Sequence, residues 1–318
     1  MDRLLQPFAL IGRYGTQGFA ASIFLGLALP QFAAAARPFL AVTIFVFTTL
    51  TFARVEAAAV KELARRPLPL VLACLWLVLA PPLAALAGLA LVGRESLDPG
   101  LVLGLALLGA APPIMSAPAV AMLLGLKPTL VVAAVLLTTS LAPLASPLVA
   151  DLIAGAVVPL DTGILVRRLV LLIGGAVVAA IVLRLWLGEA RIRANKGAFD
   201  GIGVVMYFVF AVAAMDGVPA AVMADPGRVA RYLALAFALS GAGFLGAWLV
   251  LRALEPGDRF ALGYGTGQRN MGLLVAALGA ATPDTTFLFF ALAQFPIYLM
   301  PQIVKPLAKR LRPQDSPV

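Results

Sequence analysis

The 318-residue sequence contains no histidine and a single cysteine, Cys74, and only 12% of its residues are charged. Without histidine, the chain lacks the commonest metal ligand and the commonest proton shuttle. One cysteine permits neither an intrachain disulfide nor a thiolate metal cluster. The Gly-x-x-x-x-Gly-Lys-Ser/Thr motif of ATP-binding loops is also missing. We therefore expect no metal site, no bound cofactor and no enzymatic activity.

Apolar residues make up 62% of the sequence, and the mean hydropathy is +1.01. Runs of about 20 apolar residues have the length needed to cross a hydrocarbon core of about 30 Å. The sequence predicts an all-α polytopic protein of the cell membrane with about ten transmembrane helices. The predicted spans are residues 16–35, 38–53, 68–92, 101–126, 129–150, 164–187, 199–219, 229–251, 258–281 and 285–308.

Basic residues are distributed unevenly over the predicted loops. With ten spans and both termini in the cytoplasm, 17 of the 24 Lys and Arg residues lie on the cytoplasmic side and six outside, while Arg269 lies within a span. Cytoplasmic loops of membrane proteins carry such an excess. The net charge of +9 therefore indicates orientation and contact with anionic lipid headgroups rather than a nucleic-acid partner.

Two predicted spans contain residues that interrupt helices. The fourth carries Pro112, Pro113 and Pro118, and proline removes a backbone donor. The ninth carries Gly265 and Gly267 within a polar stretch at residues 263–272. We expect these residues to break the two helices. The fourth and ninth spans occupy equivalent places in two five-span halves of the chain, residues 1–156 and 157–318. Because each half has an odd number of spans, the two halves have opposite orientations in the membrane. Interrupted helices in inverted repeats indicate the binding site of a transporter.

The sequence at these two places resembles the bile acid:sodium symporter family. Residues Pro113–Val120 read Pro-Ile-Met-Ser-Ala-Pro-Ala-Val, in the place of the family pattern Pro-Gly-Gly-Thr/Ser-Ala-Ser-Asn-Val. Residues Gly265–Leu273 read Gly-Thr-Gly-Gln-Arg-Asn-Met-Gly-Leu, in the place of Glu-x-Gly-x-Gln-Asn-x-Gly-Leu. The resemblance implies a core domain in which two broken helices cross, a panel domain beside it, and transport by alternating access.

The chain departs from the family pattern where the resemblance places the sodium ligands. The family's acidic position is Gly265, its Gln falls on Arg269, and its Ser-Asn pair falls on Pro118 and Ala119. A guanidinium would repel sodium, which also needs several oxygen ligands. We therefore expect sodium-independent transport, with Arg269 as a permanent surrogate cation.

Polar residues around the two breaks form the predicted substrate site. Arg269 is the leading candidate, because a cation at membrane depth usually marks function. The other candidates are Asn270, Gln268, Ser116, Thr138, Thr139 and Gln294. Two alternatives remain: the threonine hydroxyls could bond to their own helix backbone, and Gln294 could lie in an ordinary packing seam between helices.

The sequence thus predicts a secondary transporter of a small organic solute, an anion by its pairing with Arg269. The alternatives are a sodium-coupled symporter of bile-acid-like anions, a drug/metabolite-type carrier and, outside the carriers, a channel or an intramembrane enzyme. Saturable uptake with counterflow would distinguish a carrier from a channel.

The basic-residue count generates a prediction about topology. A reporter that is active only in the cytoplasm should be active when it is fused after Val318. The 17-to-6 asymmetry of basic residues predicts that both termini are cytoplasmic. Fusion of a reporter that is active only outside the cell is the control. Activity of that second reporter would show that the span count is wrong.

Overall fold

The computed structural model describes residues 23–54 and 67–311. Within these residues the chain is built of helices and contains no strand, and seven helical segments are long and apolar enough to cross a membrane. The all-α membrane architecture that the hydropathy predicts is therefore confirmed. The predicted first span, residues 16–35, begins outside the described residues.

Fifteen α-helices follow the helical residues 23–28 in the described part of the chain. They are α1 (Pro30–Ala36), α2 (Leu40–Ala53), α3 (Pro67–Val92), α4 (Pro99–Ala110), α5 (Ala117–Leu123), α6 (Thr129–Ala154), α7 (Thr162–Leu169), α8 (Gly175–Leu187), α9 (Glu189–Ala194), α10 (Lys196–Ala214), α11 (Val218–Ala224), α12 (Pro226–Val250), α13 (Pro256–Gly267), α14 (Met271–Leu278) and α15 (Asp284–Lys309). The seven long segments are α1–α2, α3, α6, α7–α8, α10–α11, α12 and α15.

The predicted boundary between the first and second spans is wrong. Residues 36–37 do not separate two helices, because α1 and α2 are joined by the helical turn Arg37–Phe39 into one 24-residue segment. The helix is instead interrupted at Leu29, between the helical residues 23–28 and Pro30. Proline disfavours helical geometry in the residue before it, whereas Pro38 lies in a first turn, where a proline is tolerated.

The predicted interruptions of the fourth and ninth spans are present. The fourth divides into α4 and α5, with Ala111–Ser116 between them, and the ninth into α13 and α14, with Gln268–Asn270 between them. Pro112 and Pro113 lie in the first gap, as predicted.

Two of the residues assigned to the breaks lie inside helices. Pro118 occupies the first turn of α5, where its missing N–H has no helical partner to lose. Gly265 is helical, and Gly267 is the last residue of α13, so the second break begins one residue later. Glycine permits an interruption but does not force one, and the backbone of α13 keeps its helical bonds up to Gly267.

The succession of helices from α3 to α6 recurs from α12 to α15. In both parts a long helix is followed by two short helices with a gap between them, and then by a second long helix. The corresponding starts are Pro67 and Pro226, Pro99 and Pro256, and Thr129 and Asp284, which are 159, 157 and 155 residues apart. Both first short helices begin with Pro-Gly after an acidic residue. The two parts of the chain therefore build the same series of elements.

Helices α12 and α13 approach each other so closely that only glycine fits between them. A Cβ on Gly243 would lie 2.9 Å from the Cα of Gly267, and a Cβ on Gly267 would lie 2.3 Å from the carbonyl oxygen of Ser240. These neighbours are backbone atoms, which cannot rotate away. Glycine at positions 243 and 267 therefore permits the close packing of α12 against the end of α13.

This packing predicts opposite effects for two glycines of α12. Gly243→Ala should destabilise the purified protein by about 1–3 kcal/mol, because the added methyl group overpacks a backbone contact. Gly241→Ala should be neutral or slightly stabilising, since nothing lies within 4 Å of the position that its methyl group would take and alanine favours helix by about 0.5–1 kcal/mol. Thermal unfolding in detergent measures both. Equal melting temperatures for the two variants would contradict the prediction.

Candidate functional site

The two interruptions meet and pair with each other. Pro113 and Arg269 form an antiparallel bridge. The amide of Ile114 donates to the carbonyl oxygen of Gln268 at 2.9 Å, and the amide of Asn270 donates to that of Pro112 at 2.8 Å. Non-helical backbone is tolerated at membrane depth only where protein buries it or it lines a cavity. Here each gap supplies the partners that the other gap lacks.

The end of α4 has its last carbonyl groups satisfied by side chains. The Ser146 hydroxyl, on α6, donates to the carbonyl oxygen of Ala110 at 2.7 Å. Arg269 donates through Nη2 to the carbonyl oxygen of Ala111. The C-terminal end of a helix carries a partial negative charge, which favours a nearby cation. The guanidinium therefore lies where the backbone field is favourable.

Arg269 is almost completely buried, with 5% of its surface exposed. Besides Ala111, its Nη2 donates to the carbonyl oxygen of Leu77 on α3, at 3.1 Å. Among residues 23–54 and 67–311, no carboxylate pairs with it, and its Nε and Nη1 have no hydrogen-bond partner. The buried charge is thus bound to two carbonyl groups through a single nitrogen, Nη2.

A small cavity, about 30 Å³ in volume, lies beside the crossing. Its polar lining consists of Thr48, Tyr207, Asn270, Gln294 and Arg269; the rest is apolar and comes from α2, the first gap, α10, α14 and α15. This volume holds a few water molecules. A larger solute would enter only if the surrounding helices separated.

The predicted site residues divide between the cavity and the helix contacts behind it. Arg269, Asn270 and Gln294 line the cavity, although the amide of Gln294 donates to its own helix at Phe290, at 3.0 Å. Ser116 borders this region through a side-chain hydrogen bond with Tyr207. Gln268 points instead towards α12, where its Nε2 donates to Ser240.

The adjacent threonines of α6 differ in their bonding. The Thr138 hydroxyl donates to the carbonyl oxygen of Ala134 at 2.7 Å, in its own helix, which is the alternative outlined from the sequence. The Thr139 hydroxyl is fully buried and has no hydrogen-bond partner in the described part of the chain. Neither side chain lines the cavity.

Several side chains of the crossing were not selected from the sequence. Ser146 and Ser240 bond at the crossing as described above, and the Trp76 indole donates to the hydroxyl of Thr266 at 2.9 Å. Tyr264 donates to the carbonyl oxygen of Ile297 at 3.0 Å. Ser146 and Ser240 contact partners 36 and 28 positions away, Ala110 and Gln268, so no local sequence pattern indicates these contacts.

The chain matches no protein-family model and no curated protein sequence. The assignment of a function therefore rests on the geometry at the crossing and on the motif residues that form it.

The contrast between the two threonines generates a prediction about stability. Thr139→Val should raise the melting temperature, because it removes a buried hydroxyl without a partner, a group that costs about 1–3 kcal/mol. Thr138→Val should leave stability unchanged or lower it slightly, because it removes a satisfied bond. Thermal unfolding of both variants in detergent is the measurement. A lower melting temperature for Thr139→Val would show that its hydroxyl has a partner in the native state.

Proposed function

We propose that this protein is a secondary transporter that carries a small organic anion by alternating access. The observation that carries the proposal is Arg269. It is a buried cation without a carboxylate partner among the described residues, it lines a cavity at the meeting point of two interrupted helices, and two of its nitrogens have no partner there. A buried charge is expensive unless it is paired. An anionic solute supplies the missing partner.

The orientation of α14 favours the same ligand. This helix begins at Met271, and the residues on either side of its start, Asn270 and Gly272, line the cavity. The N-terminus of a helix presents free amide groups and a partial positive charge. In transporters, half-helix N-termini point at anionic substrate groups near the middle of the membrane. Arg269 and the start of α14 would therefore attract the same anion.

The recurring series of helices supports two inverted five-span repeats. Contacts between distant loops fit the alternation that ten spans require. Arg37 pairs with Asp216 at 2.9 Å, both on the side proposed as outside. Arg54 pairs with Asp200, and Arg184 donates to the carbonyl oxygen of Ala53 at 3.2 Å, all on the side proposed as cytoplasmic. We assign the repeats to residues 1–156 and 157–318.

The resemblance to the bile acid:sodium symporter family fits this interpretation. The motif residues that carry the resemblance are the ones that meet at the crossing. We therefore propose the family's arrangement of core and panel domains, with the crossing in the core. The motifs are short, so they support the transporter class more strongly than they support any particular solute.

Sodium independence follows from the residues at the family's ion positions. Gly265, Pro118 and Ala119 offer no side-chain oxygen, and the Arg269 guanidinium would repel a second cation close by. A fixed charge at the carbonyl end of α4 does the electrostatic work of a bound ion.

Sodium-coupled symport is the second candidate, because two buried oxygens, one on α6 and one in the second gap, have no donors among the described residues. They are Thr139 Oγ1 and Gln268 Oε1, neither of which has a partner in the described chain. Oxygen atoms of this kind are ligands that hard cations prefer. A sodium dependence of uptake would favour this candidate over the first.

Transport in liposomes tests the proposal. The purified protein should take up one or more members of a panel of radiolabelled organic anions, saturably and with counterflow, equally with and without a sodium gradient. Arg269→Gln should abolish uptake or weaken binding at least tenfold, which corresponds to about 1.4 kcal/mol. Arg269→Lys should keep part of the activity, because lysine retains the charge but not the planar fork of donors.

Arg252→Gln provides the matched control, because Arg252 is exposed and lies in the turn that follows α12. It should transport like the wild type. Uptake by Arg269→Gln at the wild-type rate would overturn the assignment of the site. A steep rise of wild-type uptake with an imposed sodium gradient would replace the proposal by sodium-coupled symport.

A further inference from the structure

Prolines inside α3 leave two backbone carbonyls without their usual donors. In an α-helix each carbonyl accepts from the amide four residues later, and proline has no N–H. Pro81 and Pro82 lie within α3, so the carbonyl groups of Leu77 and Val78 lack these donors. The proline ring also pushes the preceding turn open. Two acceptors are thereby exposed in the middle of an apolar helix.

Arg269 donates to one of these two carbonyls. Its Nη2 lies 3.1 Å from the oxygen of Leu77, across 192 positions of sequence. No side-chain donor to the Val78 carbonyl is found in the described part of the chain. Pro82, which frees that carbonyl, therefore serves as an internal control for Pro81. The second acceptor of Arg269, Ala111, follows the last residue of α4. Both acceptors are thus carbonyls that helix geometry has left available.

The same relation occurs a second time, on α15. Pro301 lies inside this helix and therefore leaves the carbonyl of Ile297 without its amide donor. The Tyr264 hydroxyl donates to that carbonyl at 3.0 Å. Tyr264 belongs to the last turn of α13, and Arg269 lies in the gap that follows α13. Two different donors beside one interruption therefore bind carbonyls freed by prolines on two different helices.

We propose that Pro81 and Pro301 are positioning residues for the crossing. Each frees a carbonyl that accepts a hydrogen bond from a side chain at or just after the end of α13: Leu77 from Arg269, and Ile297 from Tyr264. A guanidinium buried without a carboxylate needs acceptors that are not already in helical bonds. Pro81 creates such an acceptor on α3 and so adds a second anchor for Arg269 Nη2, which also donates to the carbonyl oxygen of Ala111. The proposal holds whether or not the protein is a transporter.

Double-mutant cycles test this coupling. Pro81→Ala and Pro82→Ala are each made in the wild type and in Arg269→Met, which has no donor. Pro301→Ala is made in the wild type and in Tyr264→Phe, so that a second, milder cycle remains if Arg269→Met folds poorly. Melting temperatures in detergent are the first measurement. Contacting residues give non-additive effects, whereas independent ones add.

The chain's only cysteine gives a second, local measurement. Cys74 lies on α3 three residues before Leu77 and is half-buried. Its rate of alkylation by a membrane-permeant maleimide reports the local opening of this turn of α3. A change in global stability alone would not make this rate depend on the residue at position 81. Arg269→Met should accelerate alkylation severalfold, because the open turn loses its donor. In the Pro81→Ala background this acceleration should disappear, because an amide at position 81 closes the turn.

The expected result is a coupling specific to the freed carbonyl. Pro81→Ala should raise the melting temperature by a few degrees less in the wild type than in Arg269→Met. In the second cycle, Pro301→Ala should likewise raise it less in the wild type than in Tyr264→Phe. Pro82→Ala should shift both backgrounds equally. Additive melting temperatures in both cycles, or an acceleration of Cys74 alkylation that persists in Pro81→Ala, would overturn the proposal.

Discussion

Satisfaction of backbone hydrogen bonds is the constraint on which this structure depends. A helix that stops inside a membrane leaves amide and carbonyl groups exposed to an environment without water, and each unsatisfied group costs several kcal/mol. The gap Ala111–Ser116 and the gap Gln268–Asn270 solve this problem together, because each offers the other its free groups in an antiparallel pair. Neither interruption could exist in this form alone. The close packing of Gly243 on Gly267 brings α12 against the last residue of α13, next to this pairing.

The same constraint accounts for a buried arginine without a carboxylate partner among the described residues. Carbonyl groups released by the end of α4 and by Pro81 provide Arg269 with acceptors. The guanidinium charge is then stabilised by carbonyl dipoles rather than by a carboxylate. Because a dipole carries only a partial charge, it neutralises the guanidinium only partly. Two guanidinium nitrogens, Nε and Nη1, have no hydrogen-bond partner in the described part of the chain. An anion that binds there need not displace a protein partner, so its attraction to the site is not reduced by the breaking of an existing ion pair.

The sequence allowed the class of fold and the places of the interruptions to be predicted, because hydropathy and proline act locally. The extent of the second break was harder to predict: glycine permits helix, and α13 continues through Gly265. The roles of Thr138 and Thr139 depend on the rotation of α6 against its neighbours, which periodicity does not specify. The contact between Arg269 and Leu77 joins residues 192 positions apart. No local pattern encodes it, although Pro81 marks the acceptor.

Because the cavity is small, the proposed mechanism requires the surrounding helices to move before a solute can bind. The cavity beside Arg269 has room for only a few waters, which suits a carrier better than an open channel. An organic anion would have to enter after the helices that line the cavity, such as α2 and α10, move away from the crossing. The crossing itself is tied together by backbone pairs and by carbonyls that bind side chains, so it would move as one unit. Alternating access would then be a displacement of the surrounding helices past a fixed, permanently charged centre.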